Sequence, residues 1–317
     1  MTTTSYMGNG AYCYSNSLYM SLLSAEADRT WLPLPGFLEC LTTMPFGNMY
    51  LALEQGPLPF FSGPNIDPDR GLSRALATLG WTCEKHSGGS AEEALAALRE
   101  AAQKAPVQVG PIDMGYLTYH PVHQYQKGAD HFAVVLAVED TSVLFHDPQG
   151  YPYATLSHKE FLQSWKAEDI SYVQEAYTFR TDFRAVETPR SREEMIERTL
   201  PMIRENLLAA PDDPIVRGGV EVFSLLARDL RNRVSRNLAS HLLRFALPLA
   251  ARRCQDAAVF LESYQQAATI LEKQARLFGR AQYEGARKRW TQVAESIEQI
   301  GMLEQQLIEV MAYEPAH

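Results

Sequence analysis

Hydrophobic positions recur along the chain in two rhythms, and the change between them divides it. Leu18, Tyr19, Leu22 and Leu23 form one helical stripe within Tyr14–Leu23. Ser90-Ala-Glu-Glu93 has capping-box spacing, so an alanine-rich helix is predicted from there to about Gln103. Pro106–Gly110 reads as a short strand. Phe132-Ala-Val-Val-Leu-Ala-Val138 is a continuous Val-rich apolar run, the pattern of a strand buried on both faces. Glu139–Ser142 is a turn, Val143–Phe145 a returning strand, and Tyr172–Arg180 alternates well enough to be another. Beyond a linker at Ala185–Ser191 no segment reads as a strand. Glu193–Leu208, Val220–Val234, Asn237–Glu262 and Gln282–Met311 all show helical spacing. In the last, Trp290, Val293, Ile297, Ile300, Leu303, Leu307 and Met311 share one face. The expectation is an α+β domain over 1–185, followed by an all-α helical bundle over 186–317.

Charge sharpens that division. The whole chain of 317 residues has a net charge of -9. Residues 1–185 carry 11 basic and 20 acidic side chains, whereas residues 186–317 carry 18 of each. So acidic a chain argues against a nucleic-acid binder that works by neutralising phosphates. No apolar run is long enough for a membrane span. The first ten residues lack the charged and apolar regions of a secretory signal. Cys13, Cys40, Cys83 and Cys254 are scattered with no CxxC, which fits reduced thiols in a cytoplasmic protein.

Cys13 stands out by position. It follows the flexible loop Gly8-Asn-Gly-Ala-Tyr12 and leads into the first predicted helix. A thiol at a helix N-terminus faces the positive end of the macrodipole, which favours the nucleophilic thiolate. A cysteine nucleophile needs a base and the base needs an orienter. His131 opens the apolar strand and Asp147 ends the next one, in Phe145-His-Asp-Pro148. The turn at 139–142 lies midway between them, as antiparallel pairing requires. The competing reading is a structural thiol, a satisfied surface histidine and an Asp-Pro turn.

Cys, then His, then Asp, with the cysteine on the first helix, resembles the papain-like arrangement. Four stretches are similar to the butirosin biosynthesis protein H family: Tyr12–Leu23, Pro106–Tyr119, His131–Asp140 and His146-Asp-Pro148. Val216-Arg-Gly-Gly and Ala227-Arg-Asp-Leu230 resemble a helix of that family's C-terminal domain, and the closing helix with Trp290 is similar too. The resemblance implies a papain-like first domain and an acyltransferase of specialised, antibiotic-type metabolite biosynthesis. Such an enzyme moves an acyl group from the phosphopantetheine thioester of an acyl carrier protein to an amine of a small acceptor. Cys13 would be acylated, His131 would shuttle the proton, and Asp147 would orient His131. The chain itself would bind no cofactor, since the phosphopantetheine belongs to the partner. Papain-like peptidases commonly place a Gln just before the cysteine as an oxyanion donor. Met7 and Asn9 stand in that region, and Met cannot donate. Asn9, Asn16 or backbone N–H groups would serve instead.

Asp113 is a candidate to bind the acceptor's ammonium, or else a loop carboxylate making local hydrogen bonds. A metal site from His120, His123 and His131 has no supporting motif, and none is expected. Eight arginines lie between Val216 and Arg253, opposed only by Glu221 and Asp229. They suggest a dock for an acidic carrier protein on Arg228, Arg231, Arg233 and Arg236, or else a solvated face. The last helices could equally mediate self-association. Two other functions fit the same sequence: a papain-like peptidase or amidase, and an inactive binding module of the same fold.

Overall fold

The computed structural model describes residues 5–8, 12–25, 30–54, 56–188, 190–211 and 213–313. In chain order the elements are α1 (Cys13–Ser24), α2 (Pro35–Leu41), β1 (Met49–Leu53), β2 (Gly56–Phe60), α3 (Pro68–Leu79), β3 (Trp81–His86) and α4 (Ala91–Lys104). Then come β4 (Val107–Asp113), β5 (Asp130–Val138), β6 (Ser142–Asp147), β7 (Tyr151–Ser157), α5 (His158–Lys166) and β8 (Phe179–Ala185). The remainder is α6 (Arg192–Leu207), β9 (Val216–Gly218), α7 (Glu221–Asn232), α8 (Arg236–His241), α9 (Leu247–Phe260), α10 (Gln265–Ala286) and α11 (Trp290–Tyr313). The architecture is α+β, with antiparallel sheets and a helical C-terminal region. Among the described residues no helix is long and apolar enough to cross a membrane.

The chain forms two compact units, Met1–Leu38 with Leu79–Pro189, and Glu39–Thr78 with Arg190–His317. In the first, a six-stranded sheet runs β3-β8-β4-β5-β6-β7, antiparallel throughout. Ala133 and Val135 of β5 join Phe145, Phe161 and Trp165 in its core, with Leu98 of α4. Phe132, on the opposite face of the strand, meets Tyr14 of α1 edge to face at 6.0 Å. Both faces of β5 are therefore covered, which is why its sequence is apolar without alternation. Ser90 caps α4 with the reciprocal Glu93 bond that the spacing predicts. The strand predicted over Tyr172–Arg180 instead begins at Phe179 and runs to Ala185. Phe179, Arg180, Thr181, Arg184 and Ala185 pair with β3, and Phe179 and Arg180 pair with β4.

The second unit takes in residues 39–78, which the sequence reading keeps with the first domain. Three polar ties and one strand pairing account for this. β1 pairs with β9, a three-residue strand where helix alone was expected. The buried Glu39 carboxylate accepts from Arg253 Nε and Nη2 at 3.0 and 2.9 Å. Asn48 and Gln274 both donate to the buried Glu304, at 2.7 and 2.8 Å. Asn206 donates to the carbonyl and hydroxyl of Thr43. Val293, Ile297, Ile300, Leu307 and Met311 are buried along α11, as the stripe predicts. Two predicted helices divide: Asn237–Glu262 into α8 and α9 around a π turn at Leu242–Ala246, and Gln282–Met311 into the end of α10 and α11.

Candidate active site

Cys13 is the first residue of α1, and Tyr12 before it sits in the left-handed region at φ 61°. That conformation costs a bulky residue about 1–2 kcal/mol. The buried Tyr12 ring holds it, and Tyr12 O accepts from Asn16 N at 2.9 Å, within the first turn. Gln108 of β4, which the sequence reading passed over, donates from Nε2 to Tyr14 O at 3.3 Å and ties that turn to the sheet. Cys13 is half-buried, and its sulfur interacts electrostatically with the His131 ring.

His131 and Asp147 meet because of a bulge. Near the β5–β6 turn, Val138 pairs with Val143 and Ala137 with Leu144. Continued unbroken, that register sets Asp147 opposite Val134, with its side chain on the face away from His131. Leu136 is an extra residue on β5, and beyond it Val135 pairs with Phe145 and Val134 with His146. Asp147 then falls opposite Ala133, on the same face as His131 and diagonal to it. Diagonal neighbours are within reach of long side chains. His131 Nε2 lies 2.7 Å from Asp147 Oδ1.

The pair is nearly sealed, with His131 3% exposed and Asp147 fully buried. Nε2 faces Asp147, which leaves Nδ1 as the nitrogen able to serve Cys13. Burial alone would lower the His131 pKa, but the Asp147 carboxylate, the Cys13 sulfur and the bonds to both outweigh it. The ring titrates well above the ordinary histidine value. Burial likewise pushes the Asp147 carboxyl up. His131 and hydrogen bonds from His131, Tyr119 and the Gln149 N–H reverse this and hold it below the usual range. Tyr119 donates to Asp147 Oδ2 at 2.6 Å, and Gln149 N to Oδ1 at 2.7 Å. The Tyr6 hydroxyl donates to Asp147 O at 2.9 Å and accepts from Gly150 N at 3.0 Å. Tyr119 closes the stretch Pro106–Tyr119, but nothing in the pattern pairs it with Asp147. Tyr6 has no sequence signal either.

The relay therefore runs Cys13, His131, Asp147, Tyr119. A buried imidazole between a sulfur and a carboxylate can carry a proton to and from an atom bonded at that sulfur.

Both units resemble known chains. Residues 214–312 match the profile of the YobF C-terminal domain. The uncharacterized protein YobF of Bacillus subtilis (strain 168) is 30% identical over 302 residues, 94% of this chain and 95% of that protein. The chain belongs to the YobF family. The aligned length spans nearly all of both proteins.

Other expected site residues of this YobF-family chain take different positions. Asp113 is buried and accepts from Gly115 N at 2.7 Å and from Gly128 N at 3.0 Å on each oxygen. Its carboxylate organises a loop and is not offered to an ammonium. Asn16 is fully buried and spends an amide hydrogen on Tyr12 O at 3.0 Å, one turn into α1. It is not presented at the mouth of the site as an oxyanion donor must be. Asn9 lies outside the described residues. His123 Nδ1 engages Gly115 O at 2.8 Å. His120 packs edge to face on Tyr151 at 5.5 Å, with its pKa lowered by burial and no hydrogen-bond partner at Nδ1 among the described residues. Cys40 and Cys254 are buried, and burial raises both thiol pKa values. Of the arginines expected to dock a carrier, Arg231 is held by both oxygens of Glu298 and Arg228 lies 3.4 Å from Asp229. Arg233 and Arg236 are exposed.

Proposed function

We propose that this YobF-family chain is a cysteine-dependent acyltransferase with a papain-like first domain, using Cys13 as nucleophile, His131 as acid and base, and Asp147 as orienter. The observation that carries the reading is the buried His131, bonded to Asp147 at 2.7 Å and interacting with the Cys13 sulfur. The resemblance to the butirosin biosynthesis protein H family supports the choice of acyl transfer from a carrier-protein thioester to a small amine in specialised metabolism.

The chemistry follows from the proton's position. The Cys13 thiolate attacks the thioester carbonyl and forms a C–S bond, and the oxygen takes the negative charge. The N–H groups of the first turn of α1, at the positive end of its dipole, would receive that charge. Collapse breaks the bond to the pantetheine sulfur, which leaves with the proton from His131. The neutral ring then takes a proton from the incoming amine as its nitrogen attacks the acyl-cysteine carbonyl. Cys13 leaves as thiolate, and the ion pair is restored. A thioester is cleaved more readily than an amide, so a site that presents no side-chain oxyanion donor among the described residues suits acyl transfer better than peptide hydrolysis.

The test is intact mass after incubation with a panel of acyl-carrier-protein thioesters, wild type against Cys13→Ala. A gain of the acyl mass in the wild type alone, discharged by added amine to an amide, is the expected result. Discharge to free acid with amine present would make the chain a hydrolase. No adduct at Cys13 with any thioester would overturn the covalent mechanism.

A further inference from the structure

The second unit contains a cleft of about 480 Å³ between the β1–β2 hairpin and the end of α7 with the start of α8. A volume of that order suits a small molecule. Its floor is set by a motif that the relay does not use. Asp229, in Ala227-Arg-Asp-Leu230, accepts from the buried Tyr50 hydroxyl on Oδ2. Its Oδ1 lies 3.4 Å from Arg228 Nε. Both oxygens are thus engaged, and the carboxylate's charge is met by Arg228.

Beside that carboxylate the cleft carries a cation. Arg233 lines it, is exposed, and has no side-chain hydrogen bond or ion pair among the described residues. Ser235 lines it as well. Its Oγ accepts from Leu238 N at 3.1 Å, which leaves the hydroxyl hydrogen to donate. Asn232 adds an exposed amide. Leu53, Pro57 and Leu238 form an apolar wall beside these donors. A guanidinium and two neutral donors are the groups that recognise a carboxylate or phosphate.

We propose that this cleft binds a small amphiphilic oxyanion, its carboxylate or phosphomonoester head on Arg233, Asn232 and Ser235 and its apolar body against Leu53, Pro57 and Leu238. The site goes beyond the acyl-transfer reading and does not depend on Cys13.

The test is an NMR titration of the full chain with hexanoate, hexyl phosphate and hexylamine as probes. At least one anion should shift the amides of Asn232, Ser235 and Leu238, and hexylamine should not. The better-bound anion identifies the head group. Arg233→Gln removes the charge, and Ala52→Trp fills the cleft from an exposed position on the hairpin. Each should weaken binding roughly tenfold or more, the scale of one charged hydrogen bond. Unchanged spectra with both anions, equal shifts with hexylamine, or binding indifferent to both variants would overturn the proposal.

Discussion

The imidazole of His131 has two nitrogens: Nε2 is committed to Asp147, and the ring also interacts with the Cys13 sulfur. Because the folded pKa of His131 is raised, its pairing contributes stability fully below the ordinary histidine value of about 6.5. That contribution is lost as pH rises through the folded value. Asp147 has the opposite sign. Its lowered pKa contributes stability above the ordinary carboxylate range, lost as pH falls through the folded value. The two shifts define a window, and within it the ring stays charged at neutral pH. Ring nitrogen-15 shifts should therefore show His131 as imidazolium at pH 7 in the wild type. In Asp147→Asn the carboxylate is gone, so the same resonances should titrate at lower pH. A neutral wild-type ring at pH 7 would contradict the relay. Tyr119→Phe is the quieter variant. It deletes one 2.6 Å bond to the carboxylate but keeps the ring contacts with Phe145 and Tyr151. A hydrogen bond to a charged group contributes about 1.5–3 kcal/mol. Urea unfolding of Tyr119→Phe at pH 7 should show a loss of that order.

At the scale of elements, periodicity revealed what local chemistry controls. The α4 capping box, the buried stripe of α11 and the two-sided burial of β5 follow from residues within a few positions of each other. Counting about the 139–142 turn also pointed to His131 and Asp147. It set them directly opposite, whereas a bulge sets them diagonally. Val-Val-Leu-Ala is apolar on every position, so an extra residue leaves no break in the pattern that could betray it. For the same reason β9, three residues long, carries too few positions for any period, and Tyr119 and Gln108 are placed only by tertiary contact. Deleting Leu136 tests the role of the bulge. With Leu136 gone, Val135 adjoins Ala137 directly, and the unbroken ladder still sets Asp147 opposite Ala133, on the face of His131. The expected variant keeps both its strand signal in far-UV circular dichroism and the raised His131 titration. A His131 that no longer titrates high without Leu136 would show that the kink of the bulge, and not only the register beyond it, places the ring.

At the scale of the whole molecule, the second unit is assembled from two stretches separated by more than a hundred residues. The profile matched by 214–312 covers only part of the later stretch, so family boundaries and physical boundaries differ here. Without residues 39–78, Arg253 keeps no carboxylate from Glu39, Glu304 loses the Asn48 amide, and β9 has no partner strand. Removing one side of a buried ion pair costs about 3–5 kcal/mol. A typical domain has about 5–15 kcal/mol in total. Burial has already raised the Glu304 pKa, with the bonds from Gln274 and Asn48 acting against it, so losing Asn48 favours the protonated acid further. A fragment of residues 190–317 should therefore be helical yet lack a cooperative urea transition and dispersed amide resonances. Fusing residues 39–78 to its N-terminus through a flexible linker should restore both, because the missing contacts come from that segment. A 190–317 fragment that unfolds cooperatively by itself would show instead that the helices carry their own core, and that the hairpin and its polar ties are additions to a finished bundle.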